Sequence, residues 1–365
     1  MAVELGIAAA KALFSVLLVL QVMALGVFFE RKVSALIQDR IGANRASIFG
    51  IAALGLVNTL VADPIKFLVK EDVVPAGTDR LLHFLAPVLS VAPVLVTFAV
   101  VPFGDVLVVG GREINLQAAS LNIGILYVLA MVSLAVYGVV LAGWASNSRW
   151  SLLGGIRGSA QMISYEIAMG LAIVAVVLTY GTLDLQLMVK AQAGTIWGFL
   201  PNWGIFYQPL GFVILMVAGV AESKRIPFDL PESESELIAG YFTEYSGAKH
   251  LMFMMSDFVE VVLVAALVTT FFFGGWQFPG LDATGFRLPG GAHVALPSLL
   301  VALLQVTAFG LKLVFFTLLQ IVIRWTLPRF RYDQLMTLGW KGLLPVALAN
   351  VMLTAGVVLW FEGRA

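Results

Sequence analysis

Eight times along the chain, about 20 consecutive residues are almost wholly apolar, the length a helix needs to cross a hydrocarbon core roughly 30 Å thick. These runs fall near residues 5–29, 81–102, 119–142, 159–180, 203–221, 251–273, 294–323 and 341–361. Barrel strands would instead alternate polar and apolar residues over roughly 10 positions, so the runs predict helices. Composition agrees: 60% of the residues are hydrophobic and 12% charged, with mean hydropathy +0.96. Soluble domains average about 45–50% and about 25%. The chain is therefore read as all-α, a polytopic membrane protein with about eight transmembrane helices, one integral membrane domain over residues 1–365. The first run keeps Glu4 and Lys11 and lacks a small-residue cleavage site, which predicts a retained span.

Basic residues set the orientation. Most of the 22 Lys and Arg lie in the first, third, fifth and seventh connections, while the second, fourth and sixth hold only Arg112, Lys190 and Arg287. The positive-inside rule then places the odd connections in the cytoplasm and both termini outside. The first cytoplasmic loop, 30–80, contains an apolar stretch from Ile48 to Ala62 that is too short to cross. Asp63, Lys66 and Lys70 follow it at helical spacing, which predicts an amphipathic helix on the cytoplasmic side, either a surface anchor or part of a cavity wall. Pro87 and Pro93 predict a bend in the second span, because each removes a backbone hydrogen bond.

The absence of cysteine excludes iron–sulfur ligation, thiol redox chemistry and disulfides in this chain. His83, His250 and His293 lie in or beside different apolar runs, and their spacing suggests no metal or haem site.

The acidic loop 222–250 stands apart. It carries Glu222, Asp229, Glu232, Glu234, Glu236 and Glu244 between two strongly apolar segments. Asp229 is placed to cap a helix whose third position is Glu232, with Pro231 in its first turn. On such a helix Glu232 and Glu236 share a face and Glu234 points elsewhere. Two carboxylates about 4 Å apart repel by roughly 4 kcal/mol at an effective dielectric near 20. The group is therefore expected to share protons near neutrality, with Lys224, Arg225 and Lys249 offsetting part of the repulsion. The plainer alternative is a solvated loop with ordinary ion pairs.

More ionisable groups lie inside the spans. Glu166 is roughly 13 Å from Arg157 along its helix, Asp257 and Glu260 reach a similar depth beyond Lys249, and Lys312 is about 18 Å from Arg324. A charge at mid-membrane costs at least about 2.5–3.5 kcal/mol, so these groups are expected to face one another, water or another subunit. For Lys312 the simplest expectation is an ion pair with a carboxylate, and for Lys11 it is snorkelling to the surface. The acids occupy the cytoplasmic half and middle of the bilayer, which suits a half-channel opening inward.

These residues carry a resemblance over essentially the whole chain. Glu30-Arg-Lys-Val33, Gln38-Asp-Arg-Ile-Gly-Ala-Asn-Arg45, Ala62-Asp-Pro-Ile-Lys66 with Lys70-Glu71, and Gly143-Trp-Ala-Ser146 form its first half. Ser151-Leu-Leu-Gly154, Ser164-Tyr-Glu166, the acidic loop and Pro328-Arg-Phe-Arg-Tyr-Asp-Gln-Leu335 complete it. Together they resemble one membrane-subunit family of proton-pumping NADH–quinone oxidoreductase, respiratory complex I: the H subunit, also numbered 8, of bacteria and its mitochondrial counterpart, numbered 1. Two departures stand out. The family pattern Gly-Pro-Asn-Arg is here Gly42-Ala-Asn-Arg45, and its Glu-Tyr is here Asp257-Phe258, one methylene shorter and without the hydroxyl.

The resemblance implies a subunit at the junction of the peripheral and membrane arms, walling the chamber through which quinone enters. By resemblance Glu30, Arg31, Asp63, Arg225 and Arg324 match chamber positions. Glu166, Glu222, Asp229, Glu232, Glu234, Glu236, Glu244 and Asp257 match the acidic series that couples quinone reduction to proton translocation. The chain would bind no cofactor itself. Quinone is the substrate of the complex, while FMN and iron–sulfur clusters sit in partner subunits. Expected partners are the quinone-site subunits of the peripheral arm, neighbouring small membrane subunits, quinone and membrane lipid, and no nucleic acid. The expected location is the plasma (inner) membrane of a bacterium. The alternative within this class is the homologous subunit of a proton-pumping membrane-bound hydrogenase or ferredoxin-driven complex. A secondary transporter would show inverted repeats with broken helices, and none is found.

Overall fold

The computed structural model describes residues 2–42, 61–109, 111–196, 200–282, 285–287 and 293–362. In chain order the helices are α1 (Ala2–Ile37), α2 (Asp63–Val69), α3 (Arg80–Thr97), α4 (Gly124–Ala145), α5 (Arg149–Tyr180), α6 (Leu185–Ala191) and α7 (Gly204–Tyr207). They continue as α8 (Pro209–Glu222), α9 (Glu234–Leu237), α10 (Gly247–Phe272), α11 (Ser298–Thr326), α12 (Tyr332–Thr337) and α13 (Leu344–Glu362). A π-helical turn, Leu338–Leu343, makes α12 and α13 one continuous span. Short antiparallel hairpins, such as Val106–Val109 with Arg112–Asn115, occur only in the second, fourth and sixth connections among the described residues.

Seven of the expected spans are long apolar helices, and the eighth is the 14-residue α8. At 1.5 Å per residue α8 is about 21 Å long, short of the hydrocarbon core. The deficit is met by α7 and by Gln208, whose buried amide donates to Thr179 Oγ1 at 3.2 Å and Thr354 Oγ1 at 2.7 Å. Irregular backbone at membrane depth is tolerated where protein surrounds it.

Contacts between connections support the eight-span threading. Lys249 pairs with Asp72 at 2.8 Å, Arg329 with Asp229 at 2.6 Å, and Arg157 with Glu236 at 2.6 Å, joining odd connections to one another. Lys190 pairs with Asp105 at 3.0 Å, and Ser298 Oγ donates to Val108 O at 2.8 Å, joining even connections at the other end. Only if α8 crosses do both sets stay together.

Several helices outrun their apolar segments. The first continues from 29 to Ile37 and carries Glu30, Arg31 and Lys32, and α5 begins at Arg149, below Arg157. Hydropathy marks the bilayer, whereas hydrogen bonding carries the helix on into water. Helix α10 lies at the centre, with 78% of its apolar window buried, and the last span is peripheral, with 17%. Pro87 and Pro93 are buried inside α3. The amphipathic stretch from Ile48 falls mostly outside the described residues; its end is α2, where Asp63 and Lys66 pair at 3.5 Å. Lys11 reaches into the second connection, at the end of the molecule toward which it is expected to snorkel, and donates to Gln117 O at 2.9 Å. Among the described residues Lys312 has no carboxylate partner. Its ammonium donates to the carbonyls of Phe273, Gly275 and Gln277 at 2.6–2.9 Å, closing the C-terminal end of α10, where the helix dipole favours a cation.

Candidate functional site

The acidic loop folds back on itself through Gly240, at φ +58°, where a Cβ would strike the Pro231 carbonyl. Gly154 of α5 lets the Gly240–Tyr241 backbone lie against it, which accounts for the Ser151-Leu-Leu-Gly154 motif. Gln161 of α5 pins both ends of the turn, donating to Ala221 O and Phe228 O at 2.7 Å each. Phe330 N donates to Pro227 O at 3.0 Å, tying down the seventh connection.

This fold overturns the expected cap. The helix starts at Glu234 behind Ser233, and the Asp229 carboxylate accepts from Arg329 instead of capping. The four-residue α9 also gives Glu232 and Glu236 no common helical face. A guanidinium at 2.6 Å satisfies a buried carboxylate better than two backbone amides. Burial nevertheless holds Asp229 above the usual carboxylate range, against the pull of Arg329 and Arg324. Burial also raises Glu232, reinforced by Asp257 and Asp229.

Two ionic clusters form at the core end of the loop. In the first, Glu30 of α1, 9% exposed, accepts from Arg225 Nη1 at 3.1 Å and from Arg324 of α11. The Arg225 guanidinium lies 3.6 Å above the Phe258 ring, a cation–π contact. In the second, Lys224 is 2% exposed and reaches Asp257 and Glu260 of α10, each at 2.9 Å. Lys224 has φ +54°, a left-handed conformation at the end of α8 that turns the chain inward. Burial opposes its charge, but Asp257 and Glu260 more than offset that and raise it. Glu222 is 2% exposed, and neither carboxylate oxygen has a hydrogen-bond partner among the described residues.

Glu232 lies within electrostatic reach of Arg225, Arg324, Asp229 and Asp257, and Glu222 within reach of Glu260, Glu166 and Lys224. A continuous charge series thus runs from Glu30 through the arginines, Glu232, Asp257 with Lys224 and Glu260, to Glu222 and Glu166. Glu166 is half-buried on α5 and bonded to Ser133 of α4.

Other expected residues stand outside this series. Arg31 and Asp63 pair at 2.6 Å on a more exposed face of α1 and α2. Glu236 is 53% exposed in its side chain and pairs with Arg157. Glu244 is half-buried, and its carbonyl lies 3.4 Å from His83 Nε2; His83 stacks on Tyr245 at 4.0 Å. The Glu234 side chain lies outside the described residues. A cleft of about 400 Å³ between Gly77, Asp79, Trp144, Asn147 and Arg149 contains none of these acids.

Sequence reasoning left Lys224 and Glu260 out of the site. The signals were the lysine two residues beyond Glu222 and the i,i+3 spacing of Asp257 and Glu260, which puts both on one helix face.

A family model described as NADH dehydrogenase matches residues 10–355. The NADH-quinone oxidoreductase H subunit numbered 1 in Cytophaga hutchinsonii is 45% identical over 96% of this chain and 95% of its own length. The H subunit numbered 1 in Geobacter metallireducens is 45% identical over 98% of each, and the H subunit of Salinibacter ruber 46% over 92% and 91%. With matches of this extent across the spans, the acidic loop and both ionic clusters, the chain belongs to the NADH dehydrogenase family that includes the H subunits of NADH-quinone oxidoreductase.

Proposed function

We propose that this multi-pass membrane protein is the bacterial inner-membrane subunit of an NADH–quinone oxidoreductase that walls the quinone chamber and links quinone reduction to proton translocation. The observation that carries the reading is the charge series from Glu30 to Glu166, which includes a buried carboxylate, Glu222, with no hydrogen-bond partner among the described residues. Buried charges without a catalytic or transport task are costly and are normally paired.

In this reading Glu30, Arg225 and Arg324 border the chamber, with Arg31 and Asp63 at its outer rim. The substrate is quinone. Electrons reach it from FMN and iron–sulfur clusters held by partner subunits. Reduction of the quinone by two electrons creates a demand for two protons in a low-dielectric space. A proton or charge change at the chamber end shifts Glu232, then the Lys224–Asp257–Glu260 cluster, then Glu222 and Glu166, because groups this close titrate together. The loop that joins the two clusters is held by Asp229 with Arg329, and it carries Glu234 and Glu244. Small neighbouring membrane subunits would receive the signal at Glu166, and lipid surrounds the remaining face.

Glu222→Gln keeps the shape and removes the ionisable group. In the assembled complex it should cut proton-coupled quinone reduction at least about tenfold, equivalent to roughly 1.4 kcal/mol, with ferricyanide reduction by the peripheral arm intact. Glu236→Gln, at an exposed ion pair, should change quinone reduction far less. Full quinone activity and proton pumping in Glu222→Gln would refute the reading.

A further inference from the structure

Between the end of α8, α10 and α11 lies a small, partly open cavity of about 10 Å³, whose lining includes Val220, Ser223, Arg225, Val261, Gln320 and Arg324. That is room for about one water molecule. Three of the lining residues carry a buried polar atom with no hydrogen-bond partner among the described residues: Gln320 Oε1, Arg225 Nε and Arg324 Nε. Gln320 is 5% exposed, and its amide nitrogen is committed to Val261 O at 3.0 Å, which fixes the face that its oxygen presents. Ser223 Oγ donates to Val220 O at 3.0 Å and keeps lone pairs free to accept.

The polar complement of this cavity is two donors and two acceptors. A water molecule supplies the opposite set: it accepts from two N–H groups and donates two O–H bonds. A cation would be repelled by the two guanidiniums. Chloride is larger than water and would meet the Gln320 oxygen.

We propose that this cavity is a binding site for one structural water, and that Gln320 acts through it as a positioning residue for Arg225 and Arg324. The two guanidiniums repel each other while sharing Glu30. Hydrogen bonds from both Nε atoms to one water, itself held by Gln320, fix their planes and keep Glu30 between them. The water site stands on geometry alone; its effect on quinone turnover rests on the chamber reading above.

The test is a map of the assembled complex at a resolution that shows internal waters, for the wild type and for Gln320→Leu. Wild type should show a single density within about 2.7–3.2 Å of Gln320 Oε1 and at least one Nε. In Gln320→Leu the density should vanish, the guanidiniums should rotate, and KM for a short-chain quinone should rise about tenfold, as expected for a lost bond to a charged group. An empty cavity in the wild-type map overturns the water site. A density that vanishes in Gln320→Leu without change in guanidinium geometry or KM overturns the positioning role. Rotated guanidiniums with unchanged KM leave the site standing and count against the chamber.

Discussion

Lys224 gives the sharpest test, because one side chain holds two buried acids. Its ammonium is 2.9 Å from Asp257 and 2.9 Å from Glu260. At an effective dielectric near 20 each contact contributes about 6 kcal/mol of attraction. Much of that is offset by the cost of taking three charges out of water, so the measurable loss on deleting one partner is smaller, about 3–5 kcal/mol. Lys224→Met keeps the volume and removes the charge, leaving Asp257 and Glu260 facing each other and Glu222. It should lower the thermal stability of the membrane arm and abolish most coupled quinone reduction. The control is Lys224→Met with Glu260→Gln, which removes one of the stranded acids and should recover part of the stability. A double-mutant cycle on chemical unfolding should give a coupling of about 2–3 kcal/mol, near the top of the range for contacting residues. Single-variant effects that add to within about 0.5 kcal/mol would show that the three groups do not act as a unit.

Gly240→Ala places a Cβ against the Pro231 carbonyl at a positive φ, so the loop should lose about 1–3 kcal/mol and the arm should unfold at lower temperature. Lys312→Met strips the donor from the carbonyls of Phe273, Gly275 and Gln277; a loss of about 3 kcal/mol is expected in denaturation, with little change in quinone KM. Asp229 and Glu232 are raised by burial, so the folded protein keeps protons that the unfolded chain has released. Their contribution to stability should therefore be full below about pH 4 and decline as pH rises through their higher folded values. A pH–stability profile of Asp229→Asn with Glu232→Gln should be flatter than wild type, and parallel profiles would contradict the burial argument.

The spans are legible in the sequence because an apolar run of bilayer length has one stable outcome. Even α8, too short by itself, is marked by the run 203–221, since α7 and Gln208 complete the crossing. Helix ends are less legible: Glu30 to Ile37 and Arg149 to Arg157 are helical but polar enough to lie beyond the hydrocarbon. The Glu30–Arg225–Arg324 cluster is reached through motif resemblance, not spacing, because its members are separated by up to 294 positions. Asp229 misleads because the local signal for a cap is complete, while its real partner, Arg329, is 100 residues away. Lys312 misleads for a related reason. A buried ammonium needs acceptors, and helix-end carbonyls serve as well as carboxylates, but no sequence pattern announces them.

The two ends of the molecule hold their buried polar groups by different chemistry. Toward the cytoplasm the partners are ionisable: Glu30 with two arginines, Lys224 with two acids, Asp229 with Arg329. Toward the outside they are amides, hydroxyls and backbone carbonyls. Gln192 accepts from Gly204 N and Gly274 N and donates to Thr270 O, and Asn350 donates to Gln208. Amides and hydroxyls satisfy one another without exchanging net charge, and the ammonium of Lys312 is held by backbone carbonyls, which cannot take its proton. Beyond Glu166 on α5 and Glu260 on α10, neither helix carries a further acid toward the outer connections. A proton arriving at Glu166 therefore meets no carboxylate further out along this helix, while Glu166 itself is only half-buried, on the flank where α4 and α5 meet. In the proposed reading this makes the outer half an insulator and directs the charge signal sideways, through Glu166, into a neighbouring subunit.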